Sequence, residues 1–340
     1  MLVPVSNPPN PWDSSHAEWL GDPPPALLEV FHERARSIVA ENESPDVGFR
    51  FSVNPYRGCF HACAYCYARS SHEYLGFGAG TDFDRKIVVK TNAAELLLAE
   101  LSRPGWKGDS LSFSGNTDCY QPLEAVYGLT RRCLEVCRGF RNPVGLITKS
   151  ALVRRDVDVL ASLAGDGCAS VYLSIPFAED SMSRAIEPHT SPPSQRFETL
   201  RILSDAGIPT GVGIAPVIPG LNDGQVAEVL RRAREAGASQ AFLLPVRLAG
   251  ATLSVFRERL EAAFPARAGK VWNAIREMRG GRLNEWRFND RMRGTGPRWA
   301  AVEGLFRAEC RRLGFGDDPP SGTRRAPFRR PSAQGQLFET

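Results

Sequence analysis

Three cysteines fall within eight residues, in Cys59-Phe60-His61-Ala62-Cys63-Ala64-Tyr65-Cys66, after a short apolar stretch and a glycine. Thiolates hold iron-sulfur clusters and, with histidine, zinc. A closed zinc site takes four ligands, usually as two short-spaced pairs, and no second pair with that spacing exists in the chain. His61 is the nearby alternative for a fourth ligand, but it lies between two of the cysteines and would strain the loop. Three thiols curled round a four-iron cluster leave one iron open to a small molecule. The spacing favours that reading over a structural zinc module.

The other five cysteines are too sparse for a disulfide scaffold, so a reducing, cytoplasmic setting is expected. Cys133 and Cys137 stand four apart in a helical pattern and read as buried free thiols. Hydrophobic residues make up 42% and charged residues 24% of 340, the balance of a water-soluble globular chain with ample capacity for a core. The longest apolar runs are too short to span a bilayer, and the first residues lack the basic start and apolar core of a signal peptide. Net charge is +4, unevenly placed: from Pro265 onward sixteen Arg and Lys face eight Asp and Glu. That stretch carries +8 and suits a polyanion such as nucleic acid.

The elements that must present the thiols follow from periodicity. Residues 1–24 read as an irregular arm, and a packing helix is predicted from Pro25, with Leu27, Leu28, Phe31, Ala35, Ile38 and Val39 at helical spacing. Strands are predicted over 49–54, 110–114, 144–148, 170–175, 210–217 and 241–246, each a short run of the kind found in buried parallel strands. Helical patterns over 93–101, 123–136, 155–163, 195–206 and 225–236 alternate with them, and Gly207 and Gly237 close the last two. Such alternation predicts a parallel α/β domain with right-handed crossovers. Further helices are expected over 253–263, 268–278 and 298–313, giving an arm (1–47), a core (48–250), a basic helical extension (251–315) and a tail (316–340).

The spacing CxxxCxxC, with Tyr65 just before the last Cys, resembles the signature of the radical S-adenosylmethionine (SAM) superfamily. That resemblance implies a partial (β/α)6 TIM-like barrel, a [4Fe-4S] cluster after the first strand, and SAM chelated at the open iron. It further implies an electron donor such as flavodoxin or ferredoxin, and reductive cleavage of SAM to a 5′-deoxyadenosyl radical. Asn54-Pro55-Tyr56-Arg57-Gly58-Cys59, Cys66-Tyr67-Ala68-Arg69, Thr117-Asp118 and Glu187-Pro188 are similar to the spore photoproduct lyase-like, or DNA repair photolyase-like, branch. Carried over by position, Cys59, Cys63 and Cys66 hold the cluster and Tyr65 packs by the adenine. Thr117 and Lys149 meet the amino-acid moiety of SAM, and Ser174 its ribose. Asp118 either touches SAM or organises its turn; Arg196 either holds the SAM carboxylate or caps a nearby helix. Where that lyase has a hydrogen-donating Cys this chain has Gly115, while Cys119 lies just beyond Asp118. Cys119 is the candidate donor and Tyr67 the candidate relay, so thymine-dimer cleavage is not simply inherited. His32, His61 and His189 read as surface or loop residues.

In the extension, Trp286-Arg287-Phe288 and the run from Arg291 to Trp299 interleave basic and aromatic residues. The mixture suits phosphate contact with base stacking, or aromatic closure of the barrel by rings with Arg stems around them; closure is the expectation. Beyond Gly316 the composition predicts a disordered tail. Its tip, with Gln334, Leu337 and Phe338, is similar to the peptide by which repair proteins dock on the bacterial sliding clamp.

Three functions follow in order: a radical SAM enzyme acting on a damaged or modified DNA base; the same chemistry on a protein side chain or small molecule; and a non-enzymatic metal-binding interaction module.

Overall fold

The computed structural model describes residues 10–12, 27–316 and 328–331. Its strands are β1 (Glu29–Glu33), β2 (Val39–Glu41), β3 (Phe51–Val53), β4 (Tyr56–Arg57), β5 (Lys86–Lys90), β6 (Leu111–Phe113), β7 (Val144–Thr148), β8 (Ala169–Ser174), β9 (Thr210–Val217) and β10 (Gln240–Pro245). The main sheet runs β10-β9-β8-β7-β6-β3-β2. Its six members from β3 to β10 are parallel and stand in chain order, while β2 is antiparallel at the edge. Helices Ala93–Ser102, Leu129–Phe140, Val157–Gly165, Pro193–Asp205 and Val226–Glu235 follow the strands in turn. The edge strands are β10 and β2, so the architecture is the expected partial (β/α)6 barrel with an open side.

The strands turn one face into the core; Val171, Leu173, Val212 and Ile214 are fully enclosed, while Gly145, Ile147, Ser170 and Tyr172 on the other face of β7 and β8 are only partly covered. Leu129–Phe140 turns Cys133, Leu134, Cys137 and Phe140 inward at helical spacing, and both cysteines are buried free thiols as expected. All six predicted strands and seven of the eight helices of the core and extension are present within a few residues; the helix predicted over 123–136 is broken at Gly128 (φ 60°) into a short turn, Glu124–Tyr127, and Leu129–Phe140. Among the described residues no helix is long and apolar enough to cross a membrane.

The helix predicted from Pro25 is a correction. Residues 29–33 form β1, which pairs in parallel with β5 in a second sheet of order β1-β5-β4. The apolar spacing there serves no buried helix face, because Leu28, Val30 and Phe31 remain exposed and only Ala35 and Ile38 are buried. Pairing with β5 satisfies the backbone of the whole five-residue run. β5 itself, with the β-branched core Ile87-Val88-Val89, was not anticipated; it anchors β4, from which the cysteine loop departs.

Two expectations for the extension also change. Trp286 and Phe288 are 72% and 54% exposed and close nothing; Trp299, on helix Gly296–Leu313, is the ring that packs into the core. Within the predicted disordered tail, residues 328–331 are docked: Phe328 stacks on Phe140 at 6.2 Å, and Arg330 donates to the carbonyls of Arg103 (2.7 Å) and Trp106 (2.6 Å). The clamp-like peptide, with Gln334, Leu337 and Phe338, lies outside the described residues.

The open side of the sheet is crossed by the extension. Arg279 donates to the Val246 carbonyl just beyond β10, and Arg291 forms a two-pronged pair with Asp46 in the β2–β3 loop (2.7 and 2.5 Å). The Arg291 contact holds the Asp46 carboxyl down at about 2 against an ordinary 3.8. A depressed carboxyl stabilises the fold at pH values above its unfolded pKa, and that contribution is lost as pH falls through about 4 to 2. Lying near the surface, the pair is worth of order 1 kcal/mol once solvent screening is discounted. Asp46→Asn is therefore expected to lower the thermal midpoint by a few degrees at neutral pH. The gap from the parent should close as acid thermal scans approach pH 2; a gap unchanged from pH 7 to 2 would contradict this role.

Candidate active site

The cysteine loop has no ladder to hold it and is built from successive turns. Ala62 N–H donates to the Cys59 carbonyl (3.2 Å), Cys66 N–H to that of Cys63 (3.2 Å) and Arg69 N–H to that of Cys66 (3.3 Å). Gly58 starts the loop at φ 75°, where a Cβ would press within 3.0 Å of Phe83 O, Ile87 and His72. Arg69 staples it. Fully buried, its guanidinium donates to the Cys63 carbonyl through two nitrogens (3.0 and 2.9 Å), to Ala79 O and Gly80 O, and to Asp84 (2.9 Å). Burial lifts the Asp84 carboxyl to about 6 despite Arg69.

The polar turn after β6 meets the loop from the other side. Thr117 donates its hydroxyl to the Gly58 carbonyl (2.7 Å), and buried Gln121 donates to Gly58 O (3.2 Å) and accepts from Phe60 N–H (3.0 Å). Asp118 organises its surroundings: its carboxylate accepts from Thr148 Oγ1 (2.6 Å), Lys149 N–H (2.8 Å) and Tyr120 N–H (2.9 Å). His61 Nδ1 lies 3.3 Å from Asp118 Oδ2, near enough for charge pairing but off-axis for a hydrogen bond. Burial works against the His61 cation, yet Asp118 and Cys59 outweigh it and hold the ring up at about 9. Burial alone would raise the Asp118 carboxyl; His61, Thr148 and the Lys149 amide hold it well below the usual range.

A second buried assembly lies under Tyr65. Its hydroxyl donates to Glu187, whose other oxygen accepts from Arg196 (2.6 Å) and Ser183 (2.9 Å). Arg196 is fully enclosed and also donates to the carbonyls of Ser174 (2.8 Å) and Ser191 (2.6 Å). Its guanidinium is thus engaged with a carboxylate of the protein itself. Ser174, at the end of β8, donates to Ala215 O (3.1 Å). Lys149, one residue past β7, sets its ammonium 5.6 Å from the Tyr65 ring centre. Burial pushes the Cys63 thiol well above its ordinary value and Cys66 up to about 11, with Lys149 opposing both shifts.

The structure thus brings Cys59, Cys63, Cys66, Tyr65, Thr117, Asp118 and Lys149 into one connected assembly at the carboxyl ends of β4, β6 and β7, with Ser174 and Arg196 joined through Glu187. Tyr67 is 57% exposed, and its hydroxyl donates to the carbonyl of Gly115 (2.6 Å). Cys119 goes elsewhere: it is fully buried in the main core, with burial pushing its thiol well up. Arg69, Gln121 and the Tyr65–Glu187 contact were not assigned roles from sequence. Their signal was weak but present, since Arg69 and Glu187 stand inside the quoted motifs and Gln121 follows Thr117 by four.

The donor set suits a thiolate-held centre, with three free cysteines on one loop and Lys149 opposing the rise of the Cys63 and Cys66 thiols. Among the described residues no three His, Cys, Asp or Glu side chains form a ready-made site for a single ion. A thiol this buried ionises only beside positive charge, which Lys149 contributes and iron would complete.

Residues 53–233 match the family model described as the radical SAM superfamily. A protein of Mycobacterium tuberculosis is 37% identical over 241 residues, covering 69% of this chain and 71% of its own. One of Methanocaldococcus jannaschii is 30% identical over 196 residues, covering 58% and 70%. Among solved structures, spore photoproduct lyase complexed with dinucleoside spore photoproduct superposes with a TM-score of 0.59 at 14% identity, over 84% of this chain and 79% of that one. A variant of that lyase with bound AdoMet gives 0.56 at 16% identity over the same shares. At such identities the likeness is one of fold.

Arg69→Met should cost about 3–5 kcal/mol of unfolding free energy, because it leaves the buried Asp84 carboxyl without its partner and frees the Cys63 carbonyl. Denaturant titration measures that loss, and iron content after anaerobic purification should fall with it. Adding Asp84→Asn should recover part of the stability; no recovery would mean the carbonyl contacts alone carry the loop.

Proposed function

The chain belongs to the radical SAM superfamily, and from that premise we propose that it acts in the cytoplasm on a damaged or modified nucleic-acid base. As a radical SAM enzyme it uses a [4Fe-4S] cluster and SAM, for which Cys59, Cys63 and Cys66 are the ligands and an external reductant is required. When bound, these groups supply a 5′-deoxyadenosyl radical.

The chain's own residues would divide the remaining work. Lys149 offsets negative charge at the thiolates and stands ready for the SAM carboxylate. Tyr65, fixed by Glu187, presents its ring to the adenine, and Arg196 holds Glu187 and the Ser174 carbonyl in place so that Ser174 faces the ribose. Thr117 and Asp118 set the loop geometry from below. For the hydrogen that a repaired base must regain, Tyr67 is the donor we favour over Cys119, because Tyr67 reaches solvent and Cys119 is sealed in the core.

One observation carries the choice of substrate. Exposed rings, Trp286 and Phe288, alternate with arginines along the extension, where Arg291 stacks 4.5 Å over Phe288 and Arg287 5.8 Å over Trp286, and the exposed Tyr67 stands on the cluster loop. Rings presented to water between cations suit base stacking beside phosphate contacts. A base in a duplex is out of reach of a barrel mouth, so the substrate would be single-stranded or flipped. The lyase of similar fold carries a dinucleoside lesion in its solved complex, which supports the same reading.

Anaerobically reconstituted protein with dithionite and SAM should release 5′-deoxyadenosine, measured chromatographically, and Cys66→Ala should release none. Irradiated single-stranded DNA should raise the rate over undamaged DNA. Binding of the oligonucleotide should weaken steeply between about 50 and 200 mM salt. SAM cleavage indifferent to DNA, with no salt-sensitive binding, would transfer the chemistry to a protein or small-molecule substrate.

A further inference from the structure

Two arginines at the carboxyl end of β10 have no place in the assembly described above. Arg247 is half-buried. Its Nε is enclosed without a partner among the described residues, and its Nη1 donates to the thioether of Met292 at 3.5 Å, a weak acceptor. Arg279 is 6% exposed. Its two terminal nitrogens donate to the carbonyls of Val246 (2.8 Å), Arg293 (2.6 Å) and Asp290 (3.4 Å), while its Nε also lacks a partner among the described residues.

The charges facing this pair do not neutralise it. Arg291 adds a third cation, and both oxygens of Asp46 are already taken by Arg291. Glu285 lies within electrostatic reach of Arg279, but it accepts from the backbone of Trp286 and Arg287. Burial lowers both arginines, Arg279 to about 10, and each has a neighbouring arginine that lowers it further. A guanidinium removed from water needs an anion and acceptors for its donors. The protein supplies neither in sufficient number.

We propose that Arg247, backed by Arg279, is a seat for a phosphodiester of the substrate strand. The location selects that anion. Arg247 lies within electrostatic reach of the exposed Tyr67, and the segment that carries Met292 and Arg291 also carries the exposed rings of Trp286 and Phe288. A phosphate held here would leave its flanking bases beside aromatic faces and near the cluster loop. The inference deepens the nucleic-acid reading above and rests on it. The carboxylate of SAM offers similar oxyanion chemistry, and the test separates the two.

The reconstituted full-length protein is titrated with a fluorescently labelled single-stranded thymidine oligonucleotide, with the same oligonucleotide carrying neutral methylphosphonate links, and separately with SAM. The wild type should bind the phosphodiester strand at least tenfold more tightly than the neutral one. Arg247→Gln should lose about tenfold for the phosphodiester strand, discriminate little between the two, and show a salt slope shallower by about one. Its thermal midpoint and SAM affinity should match the parent, and Arg247→Lys, which keeps the charge, should retain most of the binding. Arg279→Gln should weaken strand binding in the same direction. If Arg247→Gln binds the strand like wild type, or loses SAM affinity instead, the seat is overturned while the nucleic-acid reading stands. If the wild type binds no oligonucleotide yet still cleaves SAM, the nucleic-acid reading falls and the seat with it.

Discussion

Everything at this site depends on burying an irregular loop whose backbone has no strand or helix to satisfy it. The three thiols must converge, so residues 59–66 cannot be extended, and they must be shielded, so their carbonyls cannot rely on water. Arg69 resolves this from one side by donating to Cys63 O and to the 79–80 turn, and Thr117 and Gln121 resolve it from the other at Gly58 O. A lysine at position 69 would present a point charge and not the planar fork that reaches several carbonyls at once. The cost of this arrangement is Asp84, a carboxylate buried only because Arg69 must have a counter-charge.

From the loop outward, buried ion pairs lock the neighbouring strand ends in register. His61, Asp118 and the Lys149 amide join the loop to the ends of β6 and β7. Tyr65, Glu187, Arg196 and the Ser174 carbonyl join it to the end of β8. Each residue in these chains fixes the next, so that Tyr65 and Lys149, two of the groups expected to face SAM, need not find their places when it binds. Such pairs contribute little net stability in a core, but removing one member leaves the other unpaired, which enforces a single geometry. The same logic applies to Arg196, which from sequence reads either as a ligand for the SAM carboxylate or as a helix cap: its guanidinium is engaged by Glu187 and the Ser174 carbonyl and ties the two together.

A six-strand barrel that does not close leaves two sheet edges and a lateral opening. Here the extension spans that opening through Arg279 to Val246 and Arg291 to Asp46, and Thr252 donates to the Cys66 carbonyl (3.1 Å), tying the helix after β10 to the cysteine loop. The helices of the extension also sink Phe256, Ile275, Trp299 and Val302 into the main core, and the polar contacts fix its approach to the open edges. Trp286 and Phe288 stay in water.

The amino-acid sequence by itself determined the grouping of three cysteines within eight residues, the parallel α/β class and nearly every core element, because those rest on local information: that spacing, and periodicities of two and 3.6 along the chain. It determined too that Tyr65, Thr117, Asp118, Lys149 and Ser174 would gather, since strand ends on one barrel face converge wherever the strands run parallel. What the tertiary structure alone decided is which partner each charge finds. Residues 29–33 became a strand because β5, more than fifty positions away, offered an edge; Cys119 turned to the core while Tyr67 reached Gly115; Trp286 and Phe288 remained outside. In each case competing local preferences were nearly balanced, and a contact between segments far apart in the chain settled them.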